Sequence, residues 1–361
     1  GLLLARDPLG KKPLYYGYDQ HGHLCFASEI RCLIGHVARV QELPPGSYWR
    51  PGEGREPVRF YQVPRPVHRL REPREAVDLL ERTLLEAVRK RLMADVPLGV
   101  FLSGGLDSSL ISAMTRRMVR GELHSFAVGL EGSADLMNAR QVARDIGTTH
   151  HERVLTPAEI TAALPRVISQ LESCDPALVR SAVPTYFVSE MASQYVKVVL
   201  SGEGADELFA GYQYLSEFTP DAAALSDELH LITVGLYNSN LQRVDRMTMA
   251  HGLEGRVPFL DPKMVDLAFR MDPSLKWRDG EGKWVLRKVA ERYLRDSIVW
   301  RKKEKFAIGT GIGPLLESYA DGNEERLYFS LFREPYGRPD VLAGMGRSRS
   351  LNPDQRWTSS L

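Results

Sequence analysis

The chain has 361 residues, of which 43% are apolar and 26% are charged, as in an ordinary globular protein with room for more than one structural unit. Its 47 basic and 46 acidic side chains leave a net charge of +1, which argues against nucleic acid and anionic lipid as partners. The apolar runs are too short to span a membrane, and Cys25, Cys32 and Cys174 lack the spacing of a zinc site or a disulfide framework. We therefore expect a cytoplasmic enzyme that acts on small molecules.

The first predicted elements are two strands at residues 13–18 and 23–27, joined by the turn-forming residues 19–22 as a hairpin. Residues 44–66 are rich in proline and glycine, which indicates a connector and a boundary near residue 65. Apolar side chains then recur at helical spacing over residues 74–93. A second unit therefore begins with an amphipathic helix.

Three short apolar runs follow, at residues 99–102, 124–130 and 196–200, and helix-like sequence separates them. Strands that alternate with helices predict an α/β fold with a parallel sheet covered on both faces. Ligands of such sheets bind beyond the carboxyl ends of the strands. Functional residues are therefore expected directly after each predicted strand.

A glycine loop with several hydroxyl groups follows the first of these strands and leads into a predicted helix; it reads Ser103-Gly104-Gly105-Leu106-Asp107-Ser108-Ser109. Glycines allow close approach of the backbone to a ligand, and a helix N-terminus attracts phosphate. The loop lacks the lysine of a Walker motif, so Mg²⁺ and basic residues from elsewhere must balance the charge of a bound pyrophosphate. The structural alternative is an ordinary turn and helix cap.

This loop resembles the pyrophosphate-binding signature of the N-type ATP pyrophosphatases, which adenylate a substrate. The block at residues 201–212, Ser-Gly-Glu-Gly-Ala-Asp-Glu-Leu-Phe-Ala-Gly-Tyr, resembles a second signature, that of the asparagine synthetase family. Further similar blocks lie at residues 124–130, 245–249, 254–261 and 300–306. The resemblance implies ATP-dependent synthesis of asparagine from aspartate through β-aspartyl-AMP and pyrophosphate, followed by amidation.

The resemblance also implies the site. Asp107 and Asp206 would hold Mg²⁺ between the ATP phosphates. The nucleotide would be bound by Phe101, Ser103, Gly104, Gly105, Asp107, Ser108, Ser109, Val128, Ser201 and Gly202. Without the resemblance, a valine on a strand such as Val128 would be interpreted as an ordinary residue of the hydrophobic core.

Two residues would be catalytic on the same resemblance. Glu203 would take a proton from ammonia or from the tetrahedral intermediate, and its alternative role is a helix-capping carboxylate. Lys303 would stabilise charge on the α-phosphate, although its basic surroundings otherwise read as a solvated stretch. Lys283, Arg287 and Arg256 are further candidates for binding phosphate or carboxylate, and surface ion pairing explains each of them equally well.

The N-terminal residues 5–16, 26–30 and 43–48 resemble the last part of a glutamine amidotransferase domain. In that family an N-terminal cysteine releases ammonia from glutamine, and Gly1 cannot act as that nucleophile. We expect the chain as written to use free ammonium, with glutamine as the source in a longer form.

The predicted domains are an amidotransferase remnant of antiparallel sandwich type at 1–65, an ATP pyrophosphatase-like synthetase domain at 66–325 and a C-terminal tail at 326–361. The expected partners are aspartate, ATP, and ammonia or glutamine, and the resemblance is compatible with a homodimer. Two alternatives remain open: a related ligase that amidates a peptide or natural-product acid, and an inactive nucleotide-binding subunit.

Overall fold

The computed structural model describes residues 1–54, 56–302 and 306–344. The N-terminal part consists of two small antiparallel sheets, with strand orders β1-β5-β6 and β3-β2-β4. Their strands are β1 Leu4–Ala5, β2 Tyr15–Tyr18, β3 Leu24–Ala27, β4 Gln41–Glu42, β5 Ser47–Trp49 and β6 Val58–Arg59. A shared apolar cluster of Leu4, Tyr16, Leu43 and Trp49 packs the two sheets together.

The predicted hairpin is confirmed. Strands β2 and β3 pair antiparallel with Tyr16 opposite Phe26. The turn closes where the Asp19 amide donates to the His23 carbonyl at 3.0 Å and the Gly22 amide donates to the Asp19 carbonyl at 3.1 Å. The Asp19 carboxylate also accepts from the amides of His21 and His23, so its side chain stabilises the turn as expected of aspartate.

The second part is built on a five-stranded sheet of order β11-β10-β7-β8-β9 in which every pairing is parallel. Its strands are β7 Leu98–Phe101, β8 His124–Gly129, β9 Thr149–Val154, β10 Val198–Leu200 and β11 Glu254–Arg256. The three predicted strands form the centre of this sheet, which confirms the α/β fold class. Neither edge strand was predicted, because β9 is polar and partly exposed and β11, Glu254–Arg256, contains no apolar residue.

Helices cover both faces of the sheet and pack around it. They are α1 Pro73–Arg91, α2 Leu106–Met118, α3 Ala134–Ile146, α4 Pro157–Leu171, α5 Pro176–Ala192, α6 Ala205–Phe209, α7 Ala222–Val234, α8 Asn240–Met249, α9 Pro262–Arg270, α10 Trp284–Ala290, α11 Asp296–Val299, α12 Phe306–Gly309, α13 Ile312–Tyr319, α14 Glu324–Tyr336 and α15 Pro339–Gly344. A short hairpin of β12 Trp277–Arg278 and β13 Glu281–Gly282 precedes α10. No helix in the described ranges has both the length and the apolar composition to cross a membrane.

The predicted amphipathic helix is α1. Its apolar stripe of Val77, Leu80, Leu84 and Val88 is buried, as the spacing indicated. The predicted start of the C-terminal tail at residue 326 is wrong, because α14 and α15 pack into the core through an apolar face. That face consists of Tyr328, Phe332, Tyr336 and Val341. Residues 345–361 of the predicted tail lie outside the described residues.

A buried ion pair joins the N-terminal part to the helices. Glu172, just after α4, accepts from the backbone amides of Ile30 and Arg31 at 2.9 Å each. The same carboxylate accepts from the Arg246 guanidinium at 2.6 Å, and Arg246 in turn donates to the Ser28 carbonyl. Burial raises the pKa of Glu172, and the guanidinium opposes that rise. Because both side chains are buried, removing either would leave a buried charge unpaired.

Lys276 is a buried cation in the segment that leads into the β12–β13 hairpin. It is 3% exposed, and its ammonium lies 5.1 Å from the centroid of the Phe269 ring. Burial lowers its pKa to about 7. In the unfolded chain a lysine titrates near about 10.4.

Between pH 7 and 10 the unfolded chain therefore holds a proton that folded Lys276 has released, and the free energy of unfolding rises with pH in this window. Below pH 7 the full cost of burying the charge is present. We expect Lys276→Met to raise the free energy of unfolding by about 2–4 kcal/mol at pH 6, with a smaller gain at pH 9. Urea denaturation at both pH values measures this; Lys197→Met, at an exposed lysine, should show no such difference. An equal gain in the free energy of unfolding at pH 6 and pH 9 would contradict the lowered pKa of Lys276.

Candidate active site

The glycine loop lies where the sequence predicted it, between β7 and α2. Its serines hold it in shape: the Ser103 amide donates to Ser108 Oγ at 3.2 Å, the two hydroxyls are 3.0 Å apart, and the Gly105 amide donates to Ser103 Oγ at 3.3 Å. Gly105 caps α2 without a side-chain bond, so the amides at the start of the helix are not covered by a capping side chain. The loop can therefore present backbone donors and the positive end of a helix dipole.

Glycine is required at position 104 by geometry. Gly104 has φ +72°, and a Cβ there would lie 2.5 Å from backbone atoms of Asn138 and Ala139 on α3. The residue thus permits close packing of the loop on a neighbouring helix. Ser109 is fully buried within α2.

The acidic loop follows β10, which pairs directly with β7. Gly202 lies against the glycine loop, since a Cβ at this position would be 2.8 Å from the Ser108 amide nitrogen and 2.9 Å from the Asp107 carbonyl carbon. Gly204 has φ +94° and begins α6, whose first turn carries Asp206. The two signature loops therefore sit side by side at the carboxyl ends of neighbouring strands.

Lys283 connects the two loops. Its ammonium donates to Asp107 Oδ2 at 2.5 Å and lies 2.6 Å from Asp206 Oδ1. The lysine side chain is 3% exposed and the two carboxylates 14% and 18%, so the pairing is largely shielded from water. Both carboxylates are thus within reach of one small cation.

A cavity of about 650 Å³ opens beside these loops. Ten of the predicted site residues line it: Phe101, Ser103, Gly105, Asp107, Ser108, Val128, Ser201, Gly202, Glu203 and Asp206. Gly104 and Ser109 are not among its lining residues. Lys303 lies outside the described residues. The ligand roles of all these residues stay predictions.

Glu203 faces a cation that the sequence analysis missed. Its carboxylate forms an ion pair with Arg243 in the first turn of α8. Arg243 is 5% exposed and lines the cavity together with Glu203. Its position shortly before the block at 245–249 is a weak signal in the sequence, because nothing in the spacing shows which way it points.

A second acidic group was also missed. Glu207 is 3% exposed and accepts from the Tyr212 hydroxyl at 2.5 Å and from Asn240 Nδ2 at 2.8 Å. Burial, followed by the charge of Asp206, raises its pKa to about 7. The three side chains form a polar wall of the cavity, and Glu207 could have been suspected from its place beside Asp206.

The three additional basic candidates have different outcomes. Lys283 lines the cavity and forms ion pairs with both Asp107 and Asp206. Arg287 lines the cavity and donates to the carbonyls of Gly282 and Val299, which position the chain around it. Arg256 is not a lining residue: it pairs with Glu254 and donates to two backbone carbonyls near the end of α1, as the ion-pair alternative predicted.

Within the described ranges, no group of three or more His, Cys, Asp or Glu side chains is arranged to hold a metal ion. Two carboxylates alone match a different kind of site. Mg²⁺ often takes one or two protein carboxylates and completes its octahedron with substrate phosphate and water. Asp107 and Asp206 beside a phosphate-type loop have this composition.

The family model described as Asparagine synthase matches residues 79–220 and 216–334, and therefore both signature loops and α8. The chain belongs to the asparagine synthase family. A second family model, described as Glutamine amidotransferase domain, matches residues 1–50, the part that forms the small antiparallel sheets.

Relatives from distant organisms agree with this family. Asparagine synthetase B (glutamine-hydrolysing) of Escherichia coli is 40% identical over 93% of this chain and 64% of its own length. Probable asparagine synthetases (glutamine-hydrolysing) of Dictyostelium discoideum and Schizosaccharomyces pombe are 37% and 39% identical, over 90% and 86% of this chain and 62% and 61% of their own lengths. The chain thus spans about three fifths of the length of these curated relatives.

The contact between the two signature loops of this family site can be tested at Gly202. Alanine there would place its Cβ against backbone atoms of Asp107 and Ser108, which cannot yield as a flexible side chain would. We expect Gly202→Ala to lower the free energy of unfolding by about 1–3 kcal/mol in urea denaturation. Gly235→Ala is the matched control, because a Cβ at this αR position meets nothing within 4 Å. Equal stability of the two variants would show that the loops are not in close contact.

Proposed function

We propose that the chain carries the synthetase site of an ATP-dependent ligase that makes asparagine. The aspartate side-chain carboxylate attacks the α-phosphorus of ATP and forms β-aspartyl-AMP and pyrophosphate. Ammonia then attacks the acyl carbon, and AMP leaves with asparagine as the product. Adenylation is required because a free carboxylate is a poor acyl donor to ammonia, whereas its mixed anhydride with AMP has a good leaving group.

The observation that carries this proposal is the meeting of Asp107 and Asp206 at the ammonium of Lys283, beside the glycine loop. One buried ammonium between two carboxylates leaves a net charge of −1, which a divalent cation that accompanies a polyphosphate can offset. Family membership and the names of the relatives support the same reaction.

The donor set fits Mg²⁺, which Asp107 and Asp206 would hold. When bound, the ion would neutralise charge on the departing pyrophosphate. Lys283 keeps the two carboxylates together from a third part of the chain. The serine hydroxyls and the backbone amides at the start of α2 would donate to phosphate oxygens, while Phe101 and Val128 form an apolar wall suited to adenine.

Glu203 would serve as the base of the second half-reaction. It lines the same cavity as the phosphate loop but belongs to the adjacent strand end, so it can face the acyl carbon while Asp206 faces the phosphates. A carboxylate at this place can accept the proton that the attacking ammonia loses. Lys303 is proposed to stabilise the α-phosphate on the strength of the motif alone.

We further propose that residues 1–65 belong to a glutamine amidotransferase domain and that residues from 66 onward form the synthetase domain. The match of residues 1–50 and the names of the relatives support glutamine as the nitrogen source of the family. For this chain, ammonium is the nitrogen source that tests the synthetase site by itself.

The metal assignment is tested by Asp107→Asn, which keeps the size of the side chain and removes its charge. We expect release of pyrophosphate from ATP and aspartate to fall roughly 100-fold or more, since a buried group that stabilises transition-state charge is lost. Titration of Mg²⁺ in the same assay should show a weaker apparent affinity. Asp227→Asn, at an exposed aspartate of α7 that does not line the cavity, is the control. Normal Mg²⁺-dependent turnover of the Asp107 variant would refute the site.

The base assignment is tested by Glu203→Gln. Pyrophosphate release with aspartate should stay within a few-fold, while asparagine formation from ammonium should slow by roughly 100-fold or more, the usual contribution of a general base. Quantifying asparagine, AMP and pyrophosphate together separates the two half-reactions, and other carboxylic acids offered in place of aspartate define the substrate. Glu217→Gln, at an exposed glutamate, is the matched control. Unimpaired asparagine formation would remove Glu203 from the mechanism.

A further inference from the structure

The cavity is large enough for two ligands, and its walls have two different characters. The strand ends with the glycine loop and the acidic loop form one side, and side chains from α5, α7, α8 and α13 form the other. In the proposed function the second ligand is an amino acid whose α-carboxylate stays charged throughout. A carboxylate that leaves water for such a cavity needs a buried cation as its partner.

Six basic residues line the cavity within the described part of the chain: Arg180, Arg243, Lys283, Arg287, Arg301 and Lys302. Lys283 is committed to Asp107 and Asp206. Arg301 donates to the Gly104 carbonyl and faces Asp135, so it belongs to the phosphate side. Lys302 is exposed.

Two of the other arginines are also held in place by the protein. Arg180 donates from Nε to both carboxylate oxygens of Glu324 at 2.9 Å. Arg287 donates to the backbone carbonyls of Gly282 and Val299. Each has its guanidinium directed to partners that fix the fold.

Arg243 differs from these. Its side chain is 6% exposed, and it pairs with Glu203, the proposed base. Among the residues that the structure describes, none forms a hydrogen bond with its buried Nε. A buried donor without a partner is costly, and a guanidinium can bind a carboxylate through two parallel bonds. Arg243 therefore has unused capacity for a carboxylate inside the cavity.

We propose that Arg243 binds the α-carboxylate of the acid substrate and that this pairing releases Glu203 from its ion pair. The inference rests on the proposed function and adds a substrate-binding residue to it. The exchange replaces one carboxylate by another on the same guanidinium, so the buried cation stays paired at every stage, while the released Glu203 carboxylate is the more exposed of the two side chains. Glu203 becomes free to accept a proton only when the acid is bound.

Rigid surroundings suit Arg243 for this task. It lies in the first turn of α8, a helix in which every residue from Leu241 to Thr248 is buried. One turn further along, Arg246 is fixed by Glu172 and Ser28. The backbone at Arg243 is thus held by packing and by a neighbouring ion pair, and a rigid backbone supports binding through two bonds.

The test compares Arg243→Ala and Arg243→Lys with the unaltered chain, using pyrophosphate release with ATP, aspartate and ammonium. We expect Arg243→Ala to raise KM for aspartate roughly 10- to 100-fold, as when a charged hydrogen-bonded pair is lost, with KM for ATP within about twofold. Arg243→Lys should raise KM for aspartate by a smaller factor, because lysine keeps the positive charge but cannot bind a carboxylate through two parallel hydrogen bonds. Arg270→Ala, at an exposed arginine of α9, should change neither constant.

A selective rise in KM for aspartate, partly restored by lysine, supports the proposal. An unchanged KM for aspartate, or an equal rise for ATP and aspartate in both variants, overturns it. Thermal unfolding of each variant shows whether it folds. If only the lysine variant folds, its KM for aspartate decides the question alone. An unchanged KM for aspartate in that variant would then contradict the proposal. If the unaltered chain releases no pyrophosphate with aspartate, the proposed function fails first and this inference fails with it.

Discussion

One buried ammonium group holds the site together. Lys283 bonds to Asp107 from the first signature loop and lies against Asp206 from the second, and it reaches them from the start of α10. Without this cation, two partly buried carboxylates from neighbouring strand ends would repel each other. The ion pairs therefore make it feasible to place two acidic side chains where we propose that a polyphosphate and its metal ion bind.

The parallel sheet supplies the second constraint. Because β7 and β10 pair in parallel, both loops leave the sheet at the same edge, and Gly202 allows their backbones to touch. A side chain at that position would separate the loops and with them the two carboxylates. The geometry of the site thus depends on sheet pairing first and on charge pairing second.

Helix α8 connects the cavity with the N-terminal part of the chain. Arg243 faces Glu203 in the cavity, while Arg246, one turn away, bonds to Glu172 and to Ser28 at the joint with the small antiparallel sheets. Lys12 reaches the same helix and bonds to Asp245 at 2.6 Å. The placement of the proposed acid-binding residue is therefore tied to the packing of the two parts against each other.

Local sequence patterns were sufficient to predict many of the helices and strands of this protein. The hairpin at residues 15–27, the helix at Pro73–Arg91 and the three central strands follow from turn residues and apolar periodicity, which act over a few residues. The edge strands β9 and β11 could not be predicted, because their residues are mostly polar and give no apolar signal. The helices after residue 324 were mistaken for a tail, since only tertiary packing shows that Tyr328, Phe332 and Tyr336 are buried.

The sequence by itself determined the α/β fold class, the position of the glycine and acidic loops after their strands, and the resemblance that names the chemistry. Only the tertiary structure decided that Lys283 lies between Asp107 and Asp206, that Arg243 pairs with Glu203, and that Arg256 does not line the cavity. The reason is that charge pairing acts across space between residues far apart in the chain, 176 positions in the case of Lys283 and Asp107. A run of basic letters does not reveal which of them the fold will bury.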